Sequence, residues 1–142
     1  MQVKRWMSHP VVTVHEDCPA VLAFRKMLEN QIRRLPVVDE DGALVGIVAD
    51  RDLRGLALQA MNDNPEAHRP SQGEVRVKDV MATKVTTVAP KDDVRAAALL
   101  MLSNRFTGLP VMDGPKLVGM ITVTDLMEIL VAALENKEQA QA

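Results

Sequence analysis

Leu109-Pro-Val-Met-Asp-Gly-Pro-Lys-Leu-Val-Gly-Met-Ile-Thr-Val-Thr-Asp125-Leu126 has a near copy earlier in the same chain. The earlier copy reads Leu35-Pro-Val-Val-Asp39, then a turn, then Leu44-Val-Gly-Ile-Val-Ala-Asp-Arg-Asp52-Leu53. In both copies, two apolar runs of strand length flank a short turn, which is typical of a β-hairpin. Each copy therefore predicts a hairpin followed by a helix that opens with acidic residues.

The repeat extends well before the hairpin. Met7 and Met81 are 74 positions apart, as are Thr13 and Thr87, and after the turn the offset becomes 73. A self-match at a fixed spacing indicates a duplicated unit. Because a copy of roughly 50 residues is too small to bury a good core alone, we expect the two copies to pack against each other.

An apolar stripe upstream of each hairpin predicts an amphipathic helix. The stripe has the i, i+3, i+4, i+7, i+8 spacing of one helical face, and Asp17 is expected to cap the first of these helices. A short apolar segment before each helix predicts a strand, so each copy reads β-α-β-β-α. The two stripes are Ala20, Ala23, Phe24, Met27, Leu28 and Val94, Ala97, Ala98, Met101, Leu102.

These patterns predict an α/β (α+β) fold with the following boundaries. Repeat 1 covers residues 1–61, a linker covers 62–74, repeat 2 covers 75–134, and a polar C-terminal tail covers 135–142. The linker contains two prolines, a glycine and many polar residues, which are typical of loops. The last helix of repeat 2 is expected to end near Leu134.

Composition limits the classes of function. Hydrophobic residues make up 47% and aromatic residues 2%, which predicts an aliphatic core. The net charge of −2 and the lack of a Lys/Arg-rich run argue against nucleic-acid binding. The sequence has one cysteine, no apolar stretch typical of a signal peptide and no apolar run of membrane-spanning length. We therefore expect a cytoplasmic protein with no membrane segment.

The pattern Leu-Pro-Val-h-Asp followed by Leu-Val-Gly-h-h-x-x-x-Asp-Leu (h apolar), behind Met-x-x-x-Val-x-Thr-Val, resembles the cystathionine β-synthase (CBS) domain, present here as a tandem pair. The resemblance covers Val3 to about Leu134 and implies a stand-alone pair. It implies two repeats packed with pseudo-two-fold symmetry, and a homodimer shaped as a disc of four repeats. It further implies that an adenosine-containing regulatory ligand (AMP, ADP, ATP or S-adenosylmethionine) binds in clefts between the repeats.

The family's ribose-binding pattern, Gly-h-h-Ser/Thr-x-x-Asp, matches the second copy at Thr122 and Asp125. A carboxylate has two acceptor oxygens and can accept both hydroxyl protons of a ribose diol. The resemblance places the adenine of this cleft against the first copy. The residues implied there, including two arginines as phosphate partners, are Thr13, Val14, His15, Ile32, Arg33, Arg34, Leu35 and Pro36.

A second cleft is implied around Asp52, and we expect it to be weaker. Ala49 stands where the pattern has a hydroxyl, although Arg51 offers a phosphate partner. The other residues implied for this cleft are Thr87, Phe106, Gly108 and Leu109. Simpler alternatives remain open: Asp125 and Asp52 are also good helix caps, Thr122 is also an ordinary strand residue, and Arg33 and Arg34 fit a solvated surface.

Three functions compete at this stage. The first is a non-catalytic regulatory sensor of adenine nucleotides, suited to energy sensing, with S-adenosylmethionine as the alternative ligand. The second is a ligand-free scaffold for protein interactions, and the third is an enzyme, for which the sequence offers no nucleophile–base pair or paired carboxylates. His9, His15 and His68 share no metal-ligand spacing, so we expect no metal and no required cofactor. The regulated partner is unknown, and the predicted dimer surfaces are the helices Asp52–Met61 and Asp125–Leu134.

Overall fold

The computed structural model describes residues 1–63 and 74–141, so most of the predicted linker lies outside the described residues. Its helices and strands alternate twice in a similar order. In chain order they are α1 (Val3–Trp6), β1 (Val14–His15), α2 (Ala20–Asn30), β2 (Arg34–Val38), β3 (Leu44–Ala49), α3 (Asp50–Asp63), α4 (Val77–Val80), α5 (Val94–Asn104), β4 (Gly108–Asp113), β5 (Lys116–Thr122) and α6 (Val123–Gln141).

The chain forms two compact units, and neither coincides with one sequence copy. The first-copy unit is Val12–Val85, and the second-copy unit combines Met1–Val11 with Thr86–Ala142. Each unit thus contains the hairpin of one copy and the lead-in segment of the other. The predicted boundaries separate the two sequence repeats, whereas each compact unit of the structure combines segments from both repeats.

The sheets confirm the predicted β-α-β-β-α order. In the first-copy unit, β1 runs parallel to β2 with Val14 opposite Val37, and β2 pairs with β3 in antiparallel fashion. In the second-copy unit, β4 and β5 form the antiparallel hairpin. A single parallel bridge from Val88 to Val111 takes the place of a first strand there. β1 and β2 can run parallel because α2 carries the chain back to the end of the sheet at which β1 begins.

Each unit has its own aliphatic core, completed by a lead-in helix from the other copy. Val3 of α1 is fully buried among residues of α5, β4 and β5 in the second-copy unit. Val77 of α4 is fully buried in the equivalent place in the first-copy unit. Met27 and Met101 of the predicted helical stripes are also buried, whereas Leu28 and Leu102, at the ends of those stripes, are exposed.

The prediction that Asp17 caps α2 is wrong. The N-cap residue is Pro19, and no side chain bonds to the first turn. The carboxylate of Asp17 instead accepts from Lys78 Nζ at 3.0 Å and lies 3.5 Å from Arg76. The hydrogen bond from Lys78 lowers the pKa of Asp17. Cations brought in by the α4 segment thus hold the carboxylate that the sequence alone assigned to the helix.

The final helix is longer than expected. It was predicted to end near Leu134, but α6 continues to Gln141. The added turns are rich in Glu, Lys, Gln and Ala, which have high intrinsic helix propensity. The polar character of residues 135–141 was therefore not a sign that α6 ends at Leu134.

The glycine of each Leu-Val-Gly motif lies directly beneath a methionine of a lead-in segment. A Cβ atom at Gly46 would lie 2.6 Å from Met81 Sδ and 2.8 Å from the carbonyl oxygen of Ala82. A Cβ at Gly119 would lie 2.5 Å from Met7 Sδ. The absence of a side chain at these two positions is what allows the lead-in segments to lie against the hairpins.

We expect Gly46→Ala to destabilise the protein. The added methyl group would overlap a backbone oxygen held by the Ala82–Ile47 hydrogen bonds, so the segment must move, at a cost of about 1–3 kcal/mol. Urea denaturation monitored by circular dichroism measures this change. Gly55→Ala is the matched control, because no atom lies near its added Cβ. In α3 that change should stabilise by about 0.5–1 kcal/mol. Equal stability of the two variants would contradict the close-contact argument.

Candidate functional site

The predicted ribose-binding pair, Thr122 and Asp125, forms a closed hydrogen-bonded loop where β5 meets α6. Asp125 Oδ2 accepts from the backbone N–H of Thr122 at 2.8 Å and from its hydroxyl at 3.1 Å. The backbone N–H of Asp125 lies 3.3 Å from Thr122 Oγ1. This is the reciprocal arrangement of a capping box, in which the N-cap residue and the third helical residue satisfy each other's backbone N–H groups. The simpler alternative, a helix cap, is therefore present in the structure.

The cap uses only one carboxylate oxygen of Asp125. Asp125 is 8% exposed. Among the residues that the structure describes, it is the one polar or charged residue that is buried. Within that described part, Oδ1 accepts no hydrogen bond. Among the described residues, Trp6 Nε1 is the buried side-chain polar atom without a partner, and Asp125 Oδ1 is not one. This oxygen therefore retains contact with solvent and is open to a further donor. The cap and a ribose contact are thus chemically compatible.

The first copy has half of this arrangement. Asp52 Oδ2 accepts from the backbone N–H of Ala49 at 3.0 Å, as Asp125 does from Thr122. Ala49 has no hydroxyl to return the bond, and Asp52 is exposed. The missing hydroxyl leaves Asp52 more solvated and less fixed than Asp125.

In each unit, the loop before the hairpin lies against the start of the helix that follows the hairpin. Gly108 pairs with Thr122 across β4 and β5, and the carbonyl of Thr107 accepts from the N–H of Val123 at 2.9 Å. In the first-copy unit, the carbonyl of Arg33 accepts from Asp50 N at 2.8 Å. Gly108, predicted for the weaker cleft, therefore neighbours the Thr122–Asp125 pair of the stronger one.

Two arginines that were predicted for different clefts, Arg34 and Arg51, are close enough for their charges to interact. Burial lowers the pKa of Arg34, and the positive charge of Arg51 lowers it further, while Asp52 and Asp50 act in the opposite direction. Arg34 is half-buried and Arg51 is exposed. Arg34, the first residue of β2, therefore lies near the first turn of α3, which carries Arg51 and the carboxylates of Asp50 and Asp52. Arg33 is exposed.

Thr13, Val14 and His15 line an open groove of about 620 Å³ between β1 and α2. Val14 and Val38 form apolar parts of its wall, and the ammonium group of Lys26 donates to the carbonyl of Thr13. His15 Nδ1 accepts from the backbone N–H of Asp17 at 3.0 Å, which directs its proton to Nε2 in the neutral form.

The sequence-based prediction missed the helical side of this groove. The missed residues are Cys18 and, on α2, Leu22, Arg25, Lys26, Glu29 and Asn30. Their signal was available, because positions 22, 25, 26 and 29 have helical spacing on the face opposite the buried stripe. The two cations make the rim of the groove suitable for an anionic ligand. Burial raises the pKa of the Cys18 thiol, so Cys18 is a weak nucleophile there.

The remaining predicted residues differ in how far they are buried, and their binding role stays a prediction. Leu35, Pro36 and Leu109 are almost fully buried, and Ile32 and Phe106 pack against the two cores. Thr87 is exposed. The predicted cleft joins residues 13–36 of one unit with Thr122 and Asp125 of the other, and that pairing stays a prediction.

Two further features of the described residues bear on the class of site. Over residues 1–63 and 74–141, no helix is long and apolar enough to cross a membrane. In the same residues, no group of three or more His, Cys, Asp or Glu side chains is placed to hold a metal ion.

Comparison with known proteins places these features in a family. The model of the CBS domain matches twice, at residues 3–58 and 77–132. A CBS domain-containing protein of Dictyostelium discoideum is 38% identical over 136 residues, covering 94% of this chain and 93% of that protein. The match therefore spans nearly the whole length of both.

Solved structures show the same fold. The CBS domain pair of protein MJ0100, solved with 5′-methylthioadenosine and S-adenosyl-L-methionine, has a TM-score of 0.77 at 26% identity, covering 94% of this chain and 98% of that one. CBSX2, solved in complex with AMP, has a TM-score of 0.75 at 28% identity, covering 96% and 98%. The predicted resemblance is confirmed, and this chain belongs to the CBS domain family as a pair of CBS domains.

Proposed function

We propose that this CBS pair is a non-catalytic regulatory module that binds an adenosine-containing ligand, with Asp125 as the acceptor of the ribose hydroxyls. The observation that carries the proposal is the buried carboxylate of Asp125. Its Oδ2 is held by Thr122, while Oδ1 has no partner in the described part of the chain. A fixed, half-used carboxylate is preorganised for a diol, because it needs no rearrangement on binding.

The ligands of two relatives agree in chemistry. AMP, S-adenosyl-L-methionine and 5′-methylthioadenosine all contain an adenosine moiety, and they occupy proteins that match this chain over more than nine tenths of its length. The shared ribose is the part of these molecules that a carboxylate recognises. The proposal therefore rests on the moiety that the ligands have in common.

An adenine nucleotide (AMP, ADP or ATP) fits the charges of this chain better than S-adenosylmethionine. The groove is bordered by two cations, Arg25 and Lys26, and one carboxylate, Glu29. The charge of Arg34 interacts with that of Arg51 near the start of α3, where Asp50 and Asp52 also lie. Guanidinium and ammonium groups suit phosphate oxygens, whereas the sulfonium of S-adenosylmethionine is itself cationic. A module that compares AMP with ATP would report energy status to a regulated partner, and S-adenosylmethionine is the alternative.

A ligand-free scaffold is the second candidate function, and the capping box favours it. Thr122 and Asp125 already have a complete structural role at the start of α6. A helix cap requires no ligand. In the first copy, Asp52 accepts the corresponding hydrogen bond from the backbone N–H of Ala49, although Ala49 has no hydroxyl to complete the capping box. The two functions differ in the role of Asp125 Oδ1. In the regulatory module it accepts a hydrogen bond from the ribose, and in the scaffold it binds no ligand.

We expect AMP or ATP to bind the purified protein with micromolar affinity, and Asp125→Asn to weaken that binding by at least about tenfold, because a charge-assisted hydrogen bond contributes about 1.5–3 kcal/mol. Asparagine retains an acceptor for the N–H of Thr122 but replaces the other oxygen by an NH₂ donor, which cannot accept from a ribose hydroxyl. Isothermal titration calorimetry with AMP, ATP and S-adenosylmethionine measures the affinities.

Asp52→Asn is the matched control and should have a much smaller effect on binding. Thermal melting of both variants without ligand shows whether the cap survives. Loss of binding only in Asp52→Asn would move the site to the first copy. The absence of binding heat with all three ligands would make the scaffold function the better one.

We further propose that the module is a homodimer that uses α6. Apolar side chains on one face of this helix are about half exposed, with the i, i+3, i+4, i+7 spacing of a helix–helix contact. They are Met127, Leu130, Val131 and Leu134, at 49–55% exposure. The other helix predicted for the interface, Asp52–Met61, has side chains from residue 57 onward outside the described part.

Leu130→Glu should convert a dimer to a monomer, because it places a charge in the middle of the apolar face. Size-exclusion chromatography with light scattering at micromolar concentration measures the mass. Ala133→Glu is the control, since it adds the same charge to the same helix at an exposed position off the stripe. A monomeric mass for the unmodified protein would remove the dimer proposal, as would an unchanged dimer in Leu130→Glu.

A further inference from the structure

The contact between a methionine sulfur and a glycine occurs once in each unit. Met7 Sδ lies 2.5 Å from where a Cβ of Gly119 would be, and Met81 Sδ lies 2.6 Å from the corresponding point at Gly46. In both places the sulfur occupies the space that any other residue of the hairpin would need for its side chain. The two contacts join equivalent positions of the sequence repeat, so the same close approach is built into both units.

Each methionine lies at the point where a lead-in segment attaches to its hairpin. Next to Met7, the backbone of Ser8 exchanges two hydrogen bonds with Met120, at 2.8 and 3.1 Å. Next to Met81, the backbone of Ala82 exchanges two with Ile47, both at 2.9 Å. A change in the sulfur therefore acts on the hydrogen bonds that flank it.

The two side chains are partly exposed, which separates them from the methionines of the cores. Met27 and Met101 are 1% and 4% exposed, so an oxidant in solution cannot reach them without unfolding. Met7 and Met81 lie at the edge of their clusters and retain access to solvent. Met1 is 62% exposed and lies outside the proposed dimer face, which makes it the internal reference for a methionine that the oxidant reaches freely.

We propose that Met7 and Met81 are oxidative modification sites, at which conversion to the sulfoxide loosens the lead-in segments from the hairpins. The reaction needs a hydroperoxide. The sulfur lone pair attacks the outer peroxide oxygen, the O–O bond breaks, the S–O bond forms, and the remaining oxygen leaves as water or an alcohol after taking up the proton. The sulfur is oxidised and the peroxide reduced.

The product fits the contact poorly. A sulfoxide is polar and pyramidal, whereas the thioether is apolar and divalent. An oxygen directed at the strand would meet the backbone at a distance that even a carbon atom cannot occupy, and one directed outward tilts the sulfur off the glycine. Because methionine sulfoxide reductases reverse the change, the modification can act as a switch rather than only as damage. This inference is independent of ligand binding.

Hydrogen peroxide treatment of the full-length protein tests the proposal. Peptide mass spectrometry should find sulfoxide at Met7 and Met81, and the melting temperature should fall by about 3 °C or more, the shift expected for about 1 kcal/mol in a chain of this size. Met7→Leu/Met81→Leu should keep its melting temperature under the same treatment, because leucine of similar volume is not oxidised. Met112→Leu, the control, replaces a partly buried methionine that lies over neither Gly46 nor Gly119, and it should lose as much as the unmodified chain.

Reduction gives a second readout that needs no variant. Treatment of the oxidised protein with both sulfoxide reductases, one for each epimer, should restore the melting temperature. The proposal is overturned if Met7 and Met81 stay unoxidised when Met1 is fully converted. It is also overturned if the loss is the same in the double-leucine variant, or if reduction of both sites restores nothing.

Discussion

Both cores depend on a valine supplied by the other sequence copy. Val3 and Val77 are fully buried, one in each unit, and each belongs to a helix of only four residues. A helix this short has no stability of its own, so it forms only by burying its apolar residue. Neither copy can therefore complete its core from its own residues, and the duplication is a requirement of folding. The glycine–methionine contacts follow from the same constraint, because a lead-in segment must lie close against the hairpin to place its valine.

The strand-to-helix junction shows how one residue can meet a structural and a functional need. The third residue of a helix is where a carboxylate can accept from the N-cap backbone, and both copies place aspartate there, at Asp125 and Asp52. Only the second copy adds a hydroxyl, and only Asp125 is buried. The hydrogen bonds of the cap fix one oxygen of the Asp125 carboxylate and leave the other open, so the features that make a better cap also make a better acceptor for a diol.

The sequence allowed prediction of the elements whose signal is local. Apolar periodicity indicated α2 and α5, and the Leu-Pro-Val and Leu-Val-Gly runs indicated the hairpins. The exchange of lead-in segments was not predictable, because a self-match at a constant spacing is the same whichever copy each segment packs with. Asp17 was misassigned for a related reason: its cations, Arg76 and Lys78, are some sixty positions away. The meeting of Arg34 with Arg51 likewise depends on strand pairing.

The two copies share the residues on which the packing of each unit depends, and they differ at some surface positions. Both share the methionine over glycine, the buried valine of the lead-in helix and the capping aspartate. On the exposed side of the first long helix they differ: Arg25 and Lys26 of the groove correspond to Leu99 and Leu100 in the second copy, and Leu99 is 54% exposed. One unit thus presents cations beside its first strand, and the other presents apolar surface there. Since cations attract phosphate and exposed leucine favours burial against protein, the two units are suited to different contacts. This difference between the two surfaces agrees with the proposed function, in which the module binds a charged small molecule and acts on a protein partner.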